Sequence, residues 1–489
     1  MANTIAPKTQ TYQTKRVGFY KDTNKRTPPT EKDRWFKNVF LESDMVVSTG
    51  EKLFRLKNRG GLEEVLDIPV ILNTTVRGVY SYETLVFIVA GNYFIVYDGA
   101  ANSYTSYNAP WTNTNTRVGM TFWSDDDEID YILIATGTEL YMYDFPTHSI
   151  ALAPATYPTP HHYSIQNIDG YICLLKEGTG EFYNSQQGDL SEDWDFLAAE
   201  MYPDSLVCLS RYNNYLVGMG KRSVELFYDA AVEEGSPFQR NDSTVVTVGC
   251  ASPDTVVQTE RQLFWVGTSS EGQLGVWVLE KFDVKEVSTP LIRKVISQYN
   301  LASIVFSAFT IRHMGRRFYV LALGDSLSNR REQIWVYDIN ENFWYQWEFG
   351  ENGTLNQYLQ FGADLGSGEA LIINNLGVYR MSDITYLDIG QPMLCEWQTD
   401  PQDFGNMNRK VAHRLTMVGN YELGQQINLQ WSDDDFNTWS PVKTINMDNE
   451  RPAIVNMGMF RRRAWRFTYT QNLPLVLDGI ELYYNQMGN

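Results

Sequence analysis

Five histidines are the first residues to test for chemistry: His148, His161, His162, His313 and His413. Only His161 and His162 are adjacent, just after Pro160, and neighbouring side chains on extended backbone point apart. No His-Glu-x-x-His pair occurs, so this pair reads as a solvated loop and not as a metal site. Gly220-Lys221 satisfies two positions of a phosphate-binding loop, but Tyr215 and Arg222 occupy the other required places. There is no Gly-x-Ser-x-Gly elbow, and Cys173, Cys208, Cys250 and Cys395 match no zinc or redox spacing. They read as reduced, buried thiols of a chain folded in cytosol. Glycoside hydrolysis requires a spaced pair of carboxylates. The acids here come in runs instead, Asp125-Asp126-Asp127-Glu128 and Asp433-Asp434-Asp435, which is the pattern of solvated turns. Ser432 to Trp439 (SDDDFNTW) has the outline of an Asp box, a structural hairpin in sialidases, with Phe436 where the glycine belongs. It lacks a defined calcium-ligand spacing. These residues point to no catalytic group, no cofactor and no metal.

Two charged constellations remain. Arg461, Arg462, Arg463 and Arg466 stand among Phe460, Trp465 and Phe467. Strand alternation sends Arg462 one way and Arg461 and Arg463 the other. The cluster is either a mixed strand with one solvated face or a contact to an acidic partner subunit. Between Val118 and Ser210 there are 16 acids and one base, Lys176. Asp125, Asp126, Asp127, Glu128 and Asp130, with Glu192, Asp193 and Asp195, form an acidic channel wall or surface patch. Either solubility or repulsion of a polyanion accounts for it.

The elements that carry these residues are β-strands. The chain has 489 residues and a formal charge of −19, which excludes a general nucleic-acid coat protein. Aromatic residues reach 14%, and such a composition favours strands and a large core. No apolar run approaches the roughly 18 residues of a membrane helix, and the polar, basic start has no signal-peptide pattern. One strand ending recurs: FIVYD to Asp98, LYMYD to Asp144, GEFYN to Asn184, ELFYD to Asp229, VWVLE to Glu280, IWVYD to Asp338 and LGVYR to Arg380. Most are preceded by a partner strand across a tight turn. Hairpins repeated at about 40–50 residues are the period of propeller blades. The fold class is therefore all-β: a six- or seven-bladed β-propeller over residues 75–390, with a small β-sandwich-like platform from the terminal regions. Residues 1–37, with nine basic residues and three acids, read as an extended arm. Residues 38–74 read as opening strands of the platform, and 391–489 as its β-sandwich-like body.

Between residues 188 and 350 the stretches GDLSEDWDF, GKRSVELFYD, EGSPFQR, VGCASPD, LFWVG, VSTPLI, GRRFYVL and IWVYDINENFWYQW follow one another. The C-terminal WSDDDFNTWSP and NMGMFRRRAWRFTYTQNLPLVLDGIEL, and the N-terminal NVFLES and RLKNRGGLEEV, extend the pattern. This order resembles the tail nozzle, or packaged-DNA stabilisation, proteins of short-tailed bacteriophages. The chain departs from the family at Arg59-Gly60-Gly61, where a Pro usually precedes the first Gly, and in the long loop GDSLSNRRE. The resemblance implies a virion tail protein made in the host cytoplasm, without enzymatic activity. It implies a ring, typically of six copies, below the portal and its adaptor ring, bearing fibres, spikes or a needle. Such a ring retains packaged double-stranded DNA and conducts it during ejection, without inserting into a membrane. A carbohydrate-binding receptor module or a propeller glycosidase is the alternative.

Overall fold

The computed structural model describes residues 12–17, 19, 35–45, 52–66, 74–154, 157–199, 202, 204–232, 235–242, 244, 246–300, 303–325, 330–350, 353–356 and 359–487. Of the expected basic arm, Lys8, Lys21, Lys25, Arg26, Lys32 and Arg34 lie outside these residues. Among the described residues there is one α-helix, Pro290–Ile296, and a short 3-10 turn at Pro253–Thr255; strands make up the regular structure elsewhere. The chain divides into two compact units: Glu63–Asn342 with Leu355–Met381, and Met1–Leu62 with Phe343–Thr354 and Ser382–Asn489.

The first unit is a β-propeller. Blade 1 is the antiparallel meander Val76–Tyr82, Leu85–Ala90, Tyr93–Asp98 and Ser103–Asn108. Blades 2, 3 and 4 repeat it, beginning at Gly119–Ser124, Gln166–Ile168 and Leu206–Tyr212. Blade 5 runs from Gly249–Cys250 to Asp283–Glu286, and blade 6 is Ser307–His313, Arg316–Asp325 and Arg330–Asp338. These six blades follow the chain. A seventh sheet of mixed origin closes the ring: Phe361–Asp364, Ala370–Asn374 and Gly377–Met381 take Leu62–Leu66 as their outer strand.

The second strand of each blade explains why the blades stack. LVFIVA, YILIA, YICLL and ALIIN are apolar on both faces, because each lies between two neighbouring sheets. The cores accordingly sit between blades. Phe87, Phe94, Ile132 and Tyr143 join blades 1 and 2. Leu133, Ile172, Leu174 and Trp194 join blades 2 and 3. Val86, Ile88, Leu371 and Ile373 join the closing sheet to blade 1. The outer strand of blade 1, SYTSYN, is mostly exposed.

The aspartate that ends the third strand of blades 1, 2, 4 and 6 has a local cause. Asp98 Oδ1 accepts from the amides of Ala100 (2.8 Å) and Ala101 (3.2 Å), and Asp338 Oδ1 does the same for Asn340 and Glu341. The carboxylate caps the turn that reverses the chain into the fourth strand.

The second unit is the β-sandwich-like platform. One sheet has the order Val39–Met45, Lys52–Asn58, Val476–Gln486, Lys410–Asn420 and Ala453–Val455. The other has Phe343–Trp347, Trp35–Lys37, Cys395–Gln398, Ala464–Tyr469, Gln426–Ser432 and Lys443–Asn446. Rings fill the space between them: Trp397 stacks on Phe467 at 5.0 Å, and Phe404 stacks on Tyr484 at 5.1 Å. Two segments read from sequence as an arm are strands here. Tyr12–Val17 pairs with Val476–Gln486, and Trp35–Lys37 pairs with Cys395–Gln398. The sequence reading put 343–354 inside the propeller; it belongs to this unit, while Leu62–Leu66 serves the propeller.

One buried ion pair ties the platform segments together. Arg59 and Asp388 are both fully buried and meet through two bonds, Nη1–Oδ1 at 3.0 Å and Nη2–Oδ2 at 2.6 Å. Arg59 also donates to Asn38 Oδ1, Gly60 O and Glu348 O, and its guanidinium lies 4.6 Å from the Phe349 ring centre. Arg59 thus fills the position where the resemblance leads one to expect proline.

Candidate functional site

The inner strands of all seven propeller sheets enclose a cavity of about 430 Å3 on the axis. Glycine lets them approach. A Cβ on Gly119 would lie 2.0 Å from Tyr163 O, and one on Gly362 would lie 2.2 Å from the Phe309 ring. Across the cavity wall, Arg117 Nε binds Asp254 Oδ1 at 2.7 Å, joining blade 2 to blade 5. The Tyr163 hydroxyl of blade 3 donates to the same carboxylate. The Arg117 guanidinium lies 4.4 Å from the centre of the Phe361 ring of the closing sheet. Four sheets thus converge on one strut. Asp364 Oδ1 accepts the Arg312 amide at 2.6 Å, and burial raises its carboxyl above the ordinary value.

His161 and His162 belong beside this cavity and not in a solvated loop. His161 is buried, with Nδ1 3.1 Å from Pro158 O. Burial lowers its pKa, and lowers that of His162 to about 4 against the opposing pull of Asp254. Both are neutral at physiological pH. The residues that organise the axis, Arg117, Tyr163, Asp254 and Asp364, were not singled out from sequence. Asp254 lies in the VGCASPD stretch, but only the fold brings it to Arg117.

The eight acids picked out from sequence do not line the axial cavity. They gather at one end of blades 2 and 3. Asp125 Oδ1 accepts the amides of Asp127 (3.1 Å) and Ile129 (2.9 Å), and Ser124 Oγ donates to Asp130 Oδ1 at 2.6 Å. The Asp126 amide donates to Gly188 O at 3.2 Å, which brings the turn of blade 2 against the loop of blade 3 that carries Glu192, Asp193 and Asp195. Asp126, Asp127, Glu128, Asp130, Glu192 and Asp193 are exposed, and Asp195 accepts a bond from Gln186.

The four arginines do not share a strand. Met459–Phe460 belongs to one platform sheet and Ala464–Tyr469 to the other, and the chain crosses between them at Arg461–Arg463. Alternation therefore fails. Arg463 is buried, forked onto Asp433 at 2.6 and 2.7 Å, with its guanidinium 4.6 Å from the Phe460 ring centre. Arg461 is exposed and donates to Met407 O. Arg462 pairs with Asp435 at 3.4 Å. Arg466 stacks on Trp439 at 3.8 Å and pairs with Glu396 at 3.8 Å. The SDDDFNTW hairpin closes despite its missing glycine, with Asp435 and Phe436 at φ 55° and 70°. Asp434 holds the turn through Thr438 and Ser432, and those bonds lower its carboxyl to about 2.

All four cysteines are buried thiols without a disulfide, and burial pushes Cys395 up to about 12. No helix of the described residues is long and apolar enough to cross a membrane.

Residues 42–360 match the sequence family described as Bacteriophage P22 Gp10, β-propeller, the phage-stabilisation family. The chain belongs to this family. As a phage-stabilisation protein it is a structural component of the phage tail, assembled with other phage proteins. No curated protein matches the chain. Among solved structures it is similar to virginiamycin B lyase from Staphylococcus aureus, at 9% identity and a TM-score of 0.41, covering 65% of this chain and 97% of that one. It is also similar to the N-terminal domain of Nup159, at 12% identity and a TM-score of 0.40, covering 71% and 98%.

Proposed function

We propose that this phage-stabilisation protein forms the distal nozzle of a short tail. It closes the portal channel on packaged DNA, conducts the DNA at ejection, and carries fibres, spikes or a needle. The observation that carries the reading is the family match over residues 42–360, which takes in blades 1 to 6, together with the form of the axis. The axial cavity is about 430 Å3, and the Arg117–Asp254 pair spans its wall between blades 2 and 5. In this reading duplex DNA passes through a lumen built between copies, which is what a cyclic oligomer, a hexamer in the closest reading, supplies below the adaptor ring. The axial carboxylates support a non-enzymatic role, since Asp254 is held by Arg117 and Tyr163, and Asp364 accepts a backbone amide. The exposed Arg461 is the member of the arginine cluster most available to another subunit.

The test is to remove the protein from assembling particles and to measure retained DNA after packaging. Particles should fill and then leak, and adding the purified chain should restore retention. Particles that hold their DNA without it would refute the reading. Depolymerisation of host surface glycan by the purified chain, lost on changing one carboxylate, would refute the non-enzymatic part.

A further inference from the structure

The propeller carries an acidic rim on blades 1 to 3 at one end and a basic groove over blades 4 and 5 at the other. In an antiparallel blade, the turns after the first and third strands lie at one end, and the turn after the second lies at the other. At the first end, the turns of blades 1 to 3 contain only acids among their charged side chains: the Asp125–Asp130 turn and the Asp189–Asp195 loop are the densest part. At the other end, two hollows of about 590 and 750 Å3 adjoin at Gly272, over blades 4 and 5. Their charged lining is entirely basic: Lys221, Arg222, Arg293 and Lys294. Hydroxyls of Thr247, Thr268 and Ser269 complete the groove. Lys221 and Arg222 are exposed at the tip of their turn, and Arg293 is anchored at 3.5 Å by Glu286. Four cations line this groove in a chain of charge −19, with Asp204 Oδ2 accepting the Arg222 amide at 2.8 Å and Glu271 exposed at its edge.

We infer that the Lys221–Arg222–Arg293–Lys294 groove is a subunit interface, and that its occupant is the acidic Asp125–Asp130 and Asp189–Asp195 rim of the next copy. This rests on the cyclic-oligomer reading above and names the surfaces that would build it. Charge complementarity favours a second copy over nucleic acid, because the matching anion is present on this same chain, at the opposite end of the same unit. A groove at one end and its complement at the other form a head-to-tail contact. Each copy uses both surfaces, and a ring forms when the rotation per step closes on itself. The acids then serve as contact residues and not as a lumen wall. Opposed fields of this kind also steer docking and reject the wrong orientation, because rim against rim repels.

The experiment is a charge exchange on the full chain, read by light scattering, with circular dichroism and melting temperature as controls of folding. The groove variant is Lys221→Glu with Arg222→Glu; the rim variant is Asp126→Lys with Asp127→Lys. All four positions are exposed, so both variants should fold. The wild type should form a closed oligomer that weakens as salt rises from about 0.05 to about 0.5 M. Each variant alone should assemble about 100-fold more weakly. An equimolar mixture of the two should recover assembly, because each then meets a surface of opposite charge. Wild-type assembly left intact by both variants would overturn this interface while leaving the ring itself standing. A wild type that stays monomeric under all conditions, alone and with tail extract, would overturn both. Loss of duplex-DNA binding in the groove variant, measured by fluorescence anisotropy and with assembly unchanged, would assign the groove to nucleic acid and overturn the proposal.

Discussion

Replacing Arg59 by methionine should unfold the platform at a markedly lower temperature. Methionine preserves the stem of the side chain and removes the guanidinium, so the loss is chiefly electrostatic. The wild-type pair is fully buried on both sides, with two bonds between the partners and three more from Arg59 to Asn38, Gly60 and Glu348. After substitution Asp388 keeps the Gly350 amide, 3.0 Å from Oδ2, but faces no cation. Breaking one side of a buried pair typically costs about 3–5 kcal/mol. For a unit of this size each kcal/mol shifts melting by about 2–4 °C, so the drop should be about 6–20 °C. Urea denaturation followed by tryptophan fluorescence reports Trp347, Trp397 and Trp465 of this unit together with Trp265 of the propeller, so the loss should appear as an earlier transition for part of the signal. The companion variant Arg59→Met with Asp388→Leu should recover most of the loss, because an apolar pair replaces a charged one without leaving a buried ion. A single variant within about 1 kcal/mol of wild type, or a double variant as unstable as the sum of both singles, would refute the reasoning.

Gly119→Ala should destabilise the propeller by about 1–3 kcal/mol or more, measured by denaturant midpoint, because its new methyl would sit 2.0 Å from Tyr163 O. Arg463→Ala should lower platform stability by about 1–3 kcal/mol through the packing lost around a buried side chain and its contact with Phe460, Asp433 itself being exposed, whereas Arg461→Ala should fall within about 0.5 kcal/mol in the isolated chain. Equal effects of the two would mean that the sheet crossing does not separate their roles. His162 has a folded pKa of about 4, below its unfolded value, so the folded state binds fewer protons between about pH 6.5 and 4. Its contribution is present above the unfolded pKa and is lost as pH falls through that window, by at most about 3 kcal/mol. His162→Gln should flatten this part of the stability curve relative to wild type, and superimposable curves would contradict the burial of its ring.

The repeat was legible because one physical event recurs in it. Each of the seven endings, from Asp98 to Arg380, closes the third strand of one sheet. In blades 1, 2, 4 and 6 the terminal aspartate caps the following turn. Local chemistry of that kind is written in adjacent residues. The platform was legible only as strands, since its pairings join residues hundreds of positions apart: Tyr12 opposite Asn485, Trp35 opposite Gln398. The arginine cluster misled because alternation presupposes one continuous strand, and the chain changes sheets within it. The axial strut had no sequence signature. Arg117 and Asp254 are ordinary surface-type residues until ring closure sets them 2.7 Å apart.

The sheet that closes the propeller has a consequence for synthesis. Leu62–Leu66 leaves the ribosome before any blade, yet its hydrogen-bonding partner Gly377–Met381 comes last. At about 5–20 residues per second, that strand waits roughly 15–60 s for its neighbour. During that interval five or six blades exist as an open crescent with an apolar face at each end. The waiting strand reads LEEVL, and Glu63 and Glu64 place two charges on what is then an unpaired edge. Charge on an exposed edge discourages pairing with other nascent chains. Glu63 and Glu64 therefore protect the half-made molecule from its siblings until the final hairpin arrives to claim the strand.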